Sequence, residues 1–292
     1  MILRDVRKNK SKTAFIVTCF VIFVAIFIYF VSLWLFEDTY LAIIIGVMFS
    51  FFTSFISYYN SDKIVLSINK ARPANKEEDR EINNILEGLC LATGLPKPKL
   101  YVMEDPSMNA FATGRNPENA VICVTTGLLE RLNKNEIEGV LAHELSHVKN
   151  YDILLSTVAT VMVGFVVLLS ELFRRVSFRR KRDDDNGGNI LAIIGLIFII
   201  LAPIFSKLLQ LALSRNREYL ADSSAVEITR NKEGLISALK KLTNDNRPLK
   251  TANEATASMF IVNPYNAKKV KDSLLSTHPA TENRIKALEN IK

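Results

Sequence analysis

His143 and His147 stand four residues apart, with Glu144 directly after the first, in the run Val140-Leu141-Ala142-His143-Glu144-Leu145-Ser146-His147-Val148. On an α-helix, positions i and i+4 share a face, so both imidazoles reach a single ion. Glu144 then lies beside that ion, placed to take a proton from a water held there. This is the HExxH pattern, in which a metal and a carboxylate act together on water. Leu145, Ser146 and Val148 carry no charge, as a helix buried around a metal requires. The competing reading, a structural histidine pair on a surface helix, is disfavoured by those flanks.

A catalytic zinc takes three protein ligands and keeps a fourth position for water. His278 is the one remaining histidine, so the third ligand is either His278 or a carboxylate. Glu218 and Asp222, in Arg215-Asn216-Arg217-Glu218-Tyr219-Leu220-Ala221-Asp222, are four apart and share a helical face. In that reading Glu218 binds the ion, and Asp222 accepts the second ring N–H of a ligand histidine, fixing its tautomer. The alternative at this spacing is an ordinary solvated carboxylate pair. Two histidines and a carboxylate suit one Zn2+ per chain, and related divalent ions accept the same donors. The chemistry implied is metal-assisted peptide hydrolysis with Glu144 as general base.

The elements that must position these groups are legible in outline. The pattern over 76–93 is helical, with Ile82, Ile85, Leu86 and Leu89 on one stripe and Gly94 as a stop. Short strands are expected at 99–103, 109–114 and 120–124, with a turn at Arg115-Asn116-Pro117, forming a small sheet or hairpin. The metal helix is expected to run from Glu136, capped by Asn135, to about Asn150. Further helices fall at 213–229, 235–242 and 279–288. The fold class is therefore mostly α: membrane helices plus a cytosolic zincin-like α+β domain with a small β-sheet.

Hydrophobic residues make up 49% of the 292 positions while charged residues still reach 23%, which points to membrane segments joined to a soluble part. Residues 13–36 and 40–59 are charge-free apolar runs long enough to cross a bilayer. A third run covers 153–173, and a weaker one, 190–205, is interrupted by Pro203. The organisation read from this is an N-terminal membrane hairpin (1–59) and a first cytosolic part with the metal helix (60–152). A second apolar hairpin with a basic loop at 174–189 follows (153–206), then a second cytosolic part (207–292). The net charge of +7 gathers beside the apolar runs, where Lys and Arg anchor helices to headgroups, so nucleic acid is not expected as a partner. Cys19, Cys90 and Cys123 are too few and scattered for a disulfide frame. The basic N-terminal tail places the start, and the segment 60–152, on the cytoplasmic side of the cell membrane. Two full crossings at 153–173 and 190–205 would put the basic loop outside, against that rule; a shallow hairpin is the other solution. Both keep His143 and Glu218 on one side. With ~1.5 Å of rise per helical residue, the metal would lie roughly 10–20 Å from the membrane.

The chain as a whole resembles the HtpX family of membrane zinc metalloproteases, in the gluzincin group that includes the CAAX prenyl endopeptidases. The resemblance runs over nearly the full length. It is carried by the two N-terminal spans, the Asn109-Ala110-Phe111-Ala112 strand and the His143–Asp152 helix. The span pair, the segment from Ser214 to Asp222 and the Ser276-Thr277-His278-Pro279 motif complete it. It implies that Glu218 is the third zinc ligand. It brings His278 near the active site, either as a donor to the oxyanion or as an extra, inhibitory metal ligand; a simple cap on the helix begun by Pro279 is the third option. Arg284 receives no role beyond structure. The resemblance gives Asn109, Ala110, Phe111 and Ala112 to substrate, an extended peptide adding to the strand edge; the alternative is a core strand with Phe111 packing. The function implied is quality control of misfolded membrane proteins or unfolded polypeptides, with a membrane-bound quality-control protease as partner. Against it stand maturation of a lipidated substrate, disfavoured by the four apolar runs, and a zinc-stabilised scaffold or chaperone, disfavoured by the presence of Glu144.

Overall fold

The computed structural model describes residues 2–36, scattered positions between 40 and 56, 58–165 apart from 76 and 78, 216–251, 255–265 and 279–291. The basic loop at 174–189, the run at 190–205, much of the run at 40–59 and His278 lie outside the described residues. Among the described residues the chain is mostly helical with one small mixed sheet.

The first helix, α1 (Ile2–Phe36), is followed by α2 (Ser61–Ile68), strand β1 (Arg72–Pro73) and α3 (Arg80–Thr93). Gly94 ends α3 in the left-handed conformation that a residue without Cβ adopts at no cost. Then come β2 (Lys99–Met103), β3 (Ala110–Thr113) and β4 (Val121–Thr125). Strands β3 and β4 pair antiparallel, Ala110 opposite Val124 and Thr113 opposite Val121, across a turn where Asn116 caps Pro117–Asn119. Two features of the sheet were not expected: β2 lies parallel to β4, and the two-residue β1 adds to β2, giving the order β1-β2-β4-β3. Every residue of β3 and β4 is buried because both faces are covered. Val102, Ala112, Ile122 and Val124 face the helical layer, whereas Met103, Phe111, Val121 and Cys123 pack on α2 and the 259–260 segment.

After the short α4 (Thr126–Arg131), whose N-terminus is capped by Thr125, helix α5, which carries His143 and His147, spans Lys134–Lys149. Its cap is Asn133, two residues before the expected Asn135. Asn133 accepts from the Glu136 N–H at 3.0 Å while Glu136 accepts from the Asn133 N–H at 2.8 Å, a reciprocal capping box. Helix α5 is buried round most of its circumference, with Val140, Leu141, Ala142, Leu145 and Val148 fully enclosed. Helix α6 (Asp152–Phe165) follows directly, α7 (Asn216–Thr229) and α8 (Lys232–Asn244) pack on α5, and α9 (Thr281–Glu289) packs on α7 and α8. A Cβ on Gly139 would meet the backbone of Leu235 at 2.8 Å, so this glycine lets α5 and α8 touch. Among the described residues α1 contains one stretch, Asn9–Ile26, long and apolar enough to cross a membrane; α6 is a shorter apolar helix.

Glu136 ties the start of α5 to α8 as well, accepting from Ser237 at 2.6 Å and Lys241 at 2.7 Å. Burial pushes its carboxyl up, but the hydrogen bonds from Lys241, Ser237 and Asn133 outweigh that and hold it below the ordinary carboxylate range. Glu136→Ala is expected to cost about 2–3 kcal/mol in denaturant unfolding, from the lost cap and the buried charged hydrogen bonds. Since the folded value lies below the unfolded one, the deficit is complete at neutral pH and shrinks as pH falls through the folded value. A deficit that does not change with acid would contradict this account.

Candidate metal centre

Helix α5 sets His143 and His147 one turn apart on the same face, ring centroids 4.8 Å apart and planes near perpendicular. Their Nε2 atoms lie 3.2 Å from each other. Helix α7 crosses this face and brings Glu218, whose carboxylate oxygens stand 3.7 Å from His143 Nε2 and 3.7 Å from His147 Nε2. The three candidate ligand atoms fall within 4.8 Å of one another.

Each imidazole is held from behind. His143 Nδ1 is 3.0 Å from Asp222 Oδ1, and His147 Nδ1 is 3.0 Å from Asp152 Oδ2. A carboxylate accepts, so each Nδ1 carries the proton and each Nε2 turns a lone pair toward the other. Two lone pairs at 3.2 Å repel unless a proton or a metal ion sits between them. Two ligands at ~2.0–2.1 Å on a tetrahedral ion stand about 3.3 Å apart, close to the spacing seen. The donor set, the spacing and the locked tautomers all fit a metal ion.

The surrounding charges ask for a cation. Burial alone would discharge His147, but the hydrogen bond to Asp152 and the charges of Glu218, Asp152 and Glu144 outweigh it and push His147 up to about 9. His143 goes the other way, lowered by burial and by the Arg284 guanidinium. Glu144, beside the pair and also buried, is pushed up to about 7 chiefly by burial; the Ala112 N–H of β3 bonds its carboxylate. Glu144, Glu218, Ala112, Ser156, Arg217 and Ile261 line a cleft over the histidines.

Family comparison places this geometry. The model of peptidase family M48 matches residues 76–292. The chain belongs to peptidase family M48. It is a metallopeptidase, and its M48 region contains α5, α7 and α9, the helices that carry the cluster. It is 47% identical to a protease HtpX homolog of Dictyoglomus turgidum, covering 97% of this chain and 92% of that one. A protease HtpX homolog of Lactobacillus helveticus is 40% identical over the full length of both. The resemblance to the HtpX proteases read from the sequence is thus met. Among solved structures, S. mikatae Ste24p shares the fold, with a TM-score of 0.52 and 20% identity over 99% of this chain and 66% of that longer one.

In this M48 chain the structure gathers His143, Glu144, Glu218 and Asp222, all buried, and the half-buried His147 into one cluster; His278 is outside the described residues. The strand residues divide. Ala112 borders the cleft, whereas Ala110 O accepts from Ile261 N at 2.9 Å and the Asn109 amide donates to Val262 O at 3.1 Å. Phe111 is fully buried against Phe260, ring centroids 5.1 Å apart. The edge of β3 is therefore filled by the chain's own 261–262 segment at its start and meets the cleft at Ala112.

Three participants were not read from the sequence. Arg284 holds both oxygens of Asp222, Nε to Oδ2 at 2.8 Å and Nη2 to Oδ1 at 2.6 Å, and donates through Nη1 to Ile261 O at 3.0 Å. Asp152 stands five residues after His147, out of reach on a continuous helix. Tyr151, at φ +59°, breaks the helix and turns Asp152 back. Arg217 lies 3.3 Å from Asp152 Oδ1. Its place one residue before Glu218 was the available signal.

Proposed function

We propose that this chain is a membrane-anchored zinc endopeptidase that cleaves misfolded membrane proteins and unfolded polypeptides on the cytoplasmic side. The observation that carries the reading is the meeting of two tautomer-locked Nε2 atoms and the Glu218 carboxylate, with Glu144 alongside. His143, His147 and Glu218 hold one Zn2+, which when bound supplies a Lewis acid and brings the pKa of water toward ~7. Glu144 takes the proton of the attacking water and hands it to the leaving amine. Asp222 and Asp152 keep both Nδ1 protons in place, so the Nε2 lone pairs stay committed to the ion. Extended substrate meets the edge of β3 at Ala112, where the strand borders the cleft, while Asn109, Ala110 and Phe111 hold the strand in place through the 260–262 segment. His278 donates to the oxyanion.

The membrane assignment is supported by α1 and by the start of α6 five residues beyond a metal ligand, which keeps the site close to the bilayer. The basic tail before the first span supports a cytoplasmic catalytic part, and the further apolar runs a multi-pass chain. Loops and ends of membrane proteins are then the reachable substrates, and a membrane quality-control protease is the fitting partner. The test is metal removal. Full-length protein in detergent is expected to cleave an unfolded protein, to stop after chelation, and to recover with one equivalent of zinc. A zinc-loaded wild type that cleaves neither an unfolded nor a membrane protein would instead favour a scaffold.

A further inference from the structure

Helix α1 carries two buried polar residues, Asn9 and Thr13, within its apolar stretch. The Thr13 hydroxyl is absorbed locally by Asn9 O at 2.9 Å. The Asn9 amide is not: Nδ2 donates to Asp152 Oδ1 at 2.7 Å and to Asn150 O at 3.1 Å, across more than a hundred residues of chain. Asp152 is the carboxylate whose other oxygen holds His147 Nδ1. Lys10, the next residue of α1, places its Nζ 4.2 Å over the ring of Tyr151. Three consecutive residues at the α5–α6 junction, Asn150, Tyr151 and Asp152, are therefore all engaged by Asn9 and Lys10.

The packing beyond this point is apolar and extends the same alignment. Phe20 and Val24 of α1 cluster with Leu154, Val158 and Met162 of α6, and Phe20 meets Phe165 edge-on at 5.7 Å. The two helices run side by side in the same direction from the metal centre. The Asn9 amide, fixed by that packing, reaches Asp152 Oδ1 at 2.7 Å, against 3.3 Å for the longer Arg217 side chain. A residue that orients the carboxylate behind a ligand histidine acts on the metal through that carboxylate.

We propose that Asn9 is a positioning residue for the metal centre: the N-terminal apolar helix fixes Asp152, and through it His147, so that anchoring of α1 and metal affinity are coupled. This rests on the zinc reading above. The test is zinc affinity, measured by competition with a chromophoric chelator on the full chain in detergent, with the cobalt-substituted absorption spectrum as a second readout. Asn9→Asp, which keeps the shape but turns a donor toward Asp152 into an acceptor, and Asn9→Ala are each expected to weaken zinc by about 10–100-fold. Both are expected to alter the cobalt bands. Thr13→Val, a same-shape change one turn along the same buried face, is expected to bind zinc as wild type does. Wild-type affinity and spectra in both Asn9 variants would overturn the proposal and leave the metal site standing. An equal loss in Thr13→Val would also overturn it, assigning the effect to helix packing. A wild type that takes up no zinc would refute the metal reading itself and this inference with it.

Discussion

Glu144→Gln is expected to lower turnover of an unfolded protein by about 10²–10⁴-fold while zinc content stays at one per chain. The amide keeps the size of the carboxylate and can still accept from the Ala112 N–H, so the cleft wall is preserved. It cannot take a proton. Burial holds the native carboxylate of Glu144 above the ordinary range, toward the strength a general base needs near neutral pH. The candidate ligands are untouched by the change, because His143, His147 and Glu218 are held by Asp222, Asp152 and Arg284. Single-turnover cleavage rates of zinc-matched wild type and variant measure the effect. A variant within threefold of wild type would remove Glu144 from the chemistry.

What was legible in the sequence was local. His143 with His147, and Glu218 with Asp222, are each a one-turn pair, and helical spacing alone puts each pair on one face. The β3–β4 hairpin was legible because its turn residues and strand runs are contiguous. The cap of α5 was legible too, since Asn133 precedes Glu136 by three residues, yet it was placed at Asn135, where another asparagine opens the apolar run. What stayed hidden depends on closure of the chain. Asn9 to Asp152, and Arg284 to Asp222, join positions with no shared period, and nothing in a helix pattern marks which buried arginine will face which carboxylate. The parallel pairing of β2 with β4 is likewise a tertiary choice, imposed by helices covering both faces of the sheet. Asp152 is the instructive case. Its distance from His147 in sequence argues against contact, and one residue at positive φ reverses the conclusion.

Arg284→Met is expected to cost about 3–5 kcal/mol of unfolding free energy, because it leaves the charge of Asp222 buried without its partner. Both residues are nearly inaccessible, at 1% and 2% exposure. Burial pushes the Asp222 carboxyl up, and the Arg284 guanidinium more than offsets it, so the pair persists as ions. Arg284→Lys is not expected to restore stability: a single ammonium cannot hold both carboxylate oxygens and also reach Ile261 O, as the guanidinium does. Adding Asp222→Asn to Arg284→Met removes the stranded charge, so the double variant should be more stable than the sum of the single losses allows. Urea unfolding of wild type, Arg284→Met, Asp222→Asn and the double variant measures that coupling. Additive losses, or a loss under about 1 kcal/mol in Arg284→Met, would mean that the pair is a solvated contact. The coupling also reaches the cleft. Ile261 O is held by Arg284 while Ile261 N bonds Ala110 O, so one side chain on α9 holds both the carboxylate behind His143 and the segment that covers the start of β3.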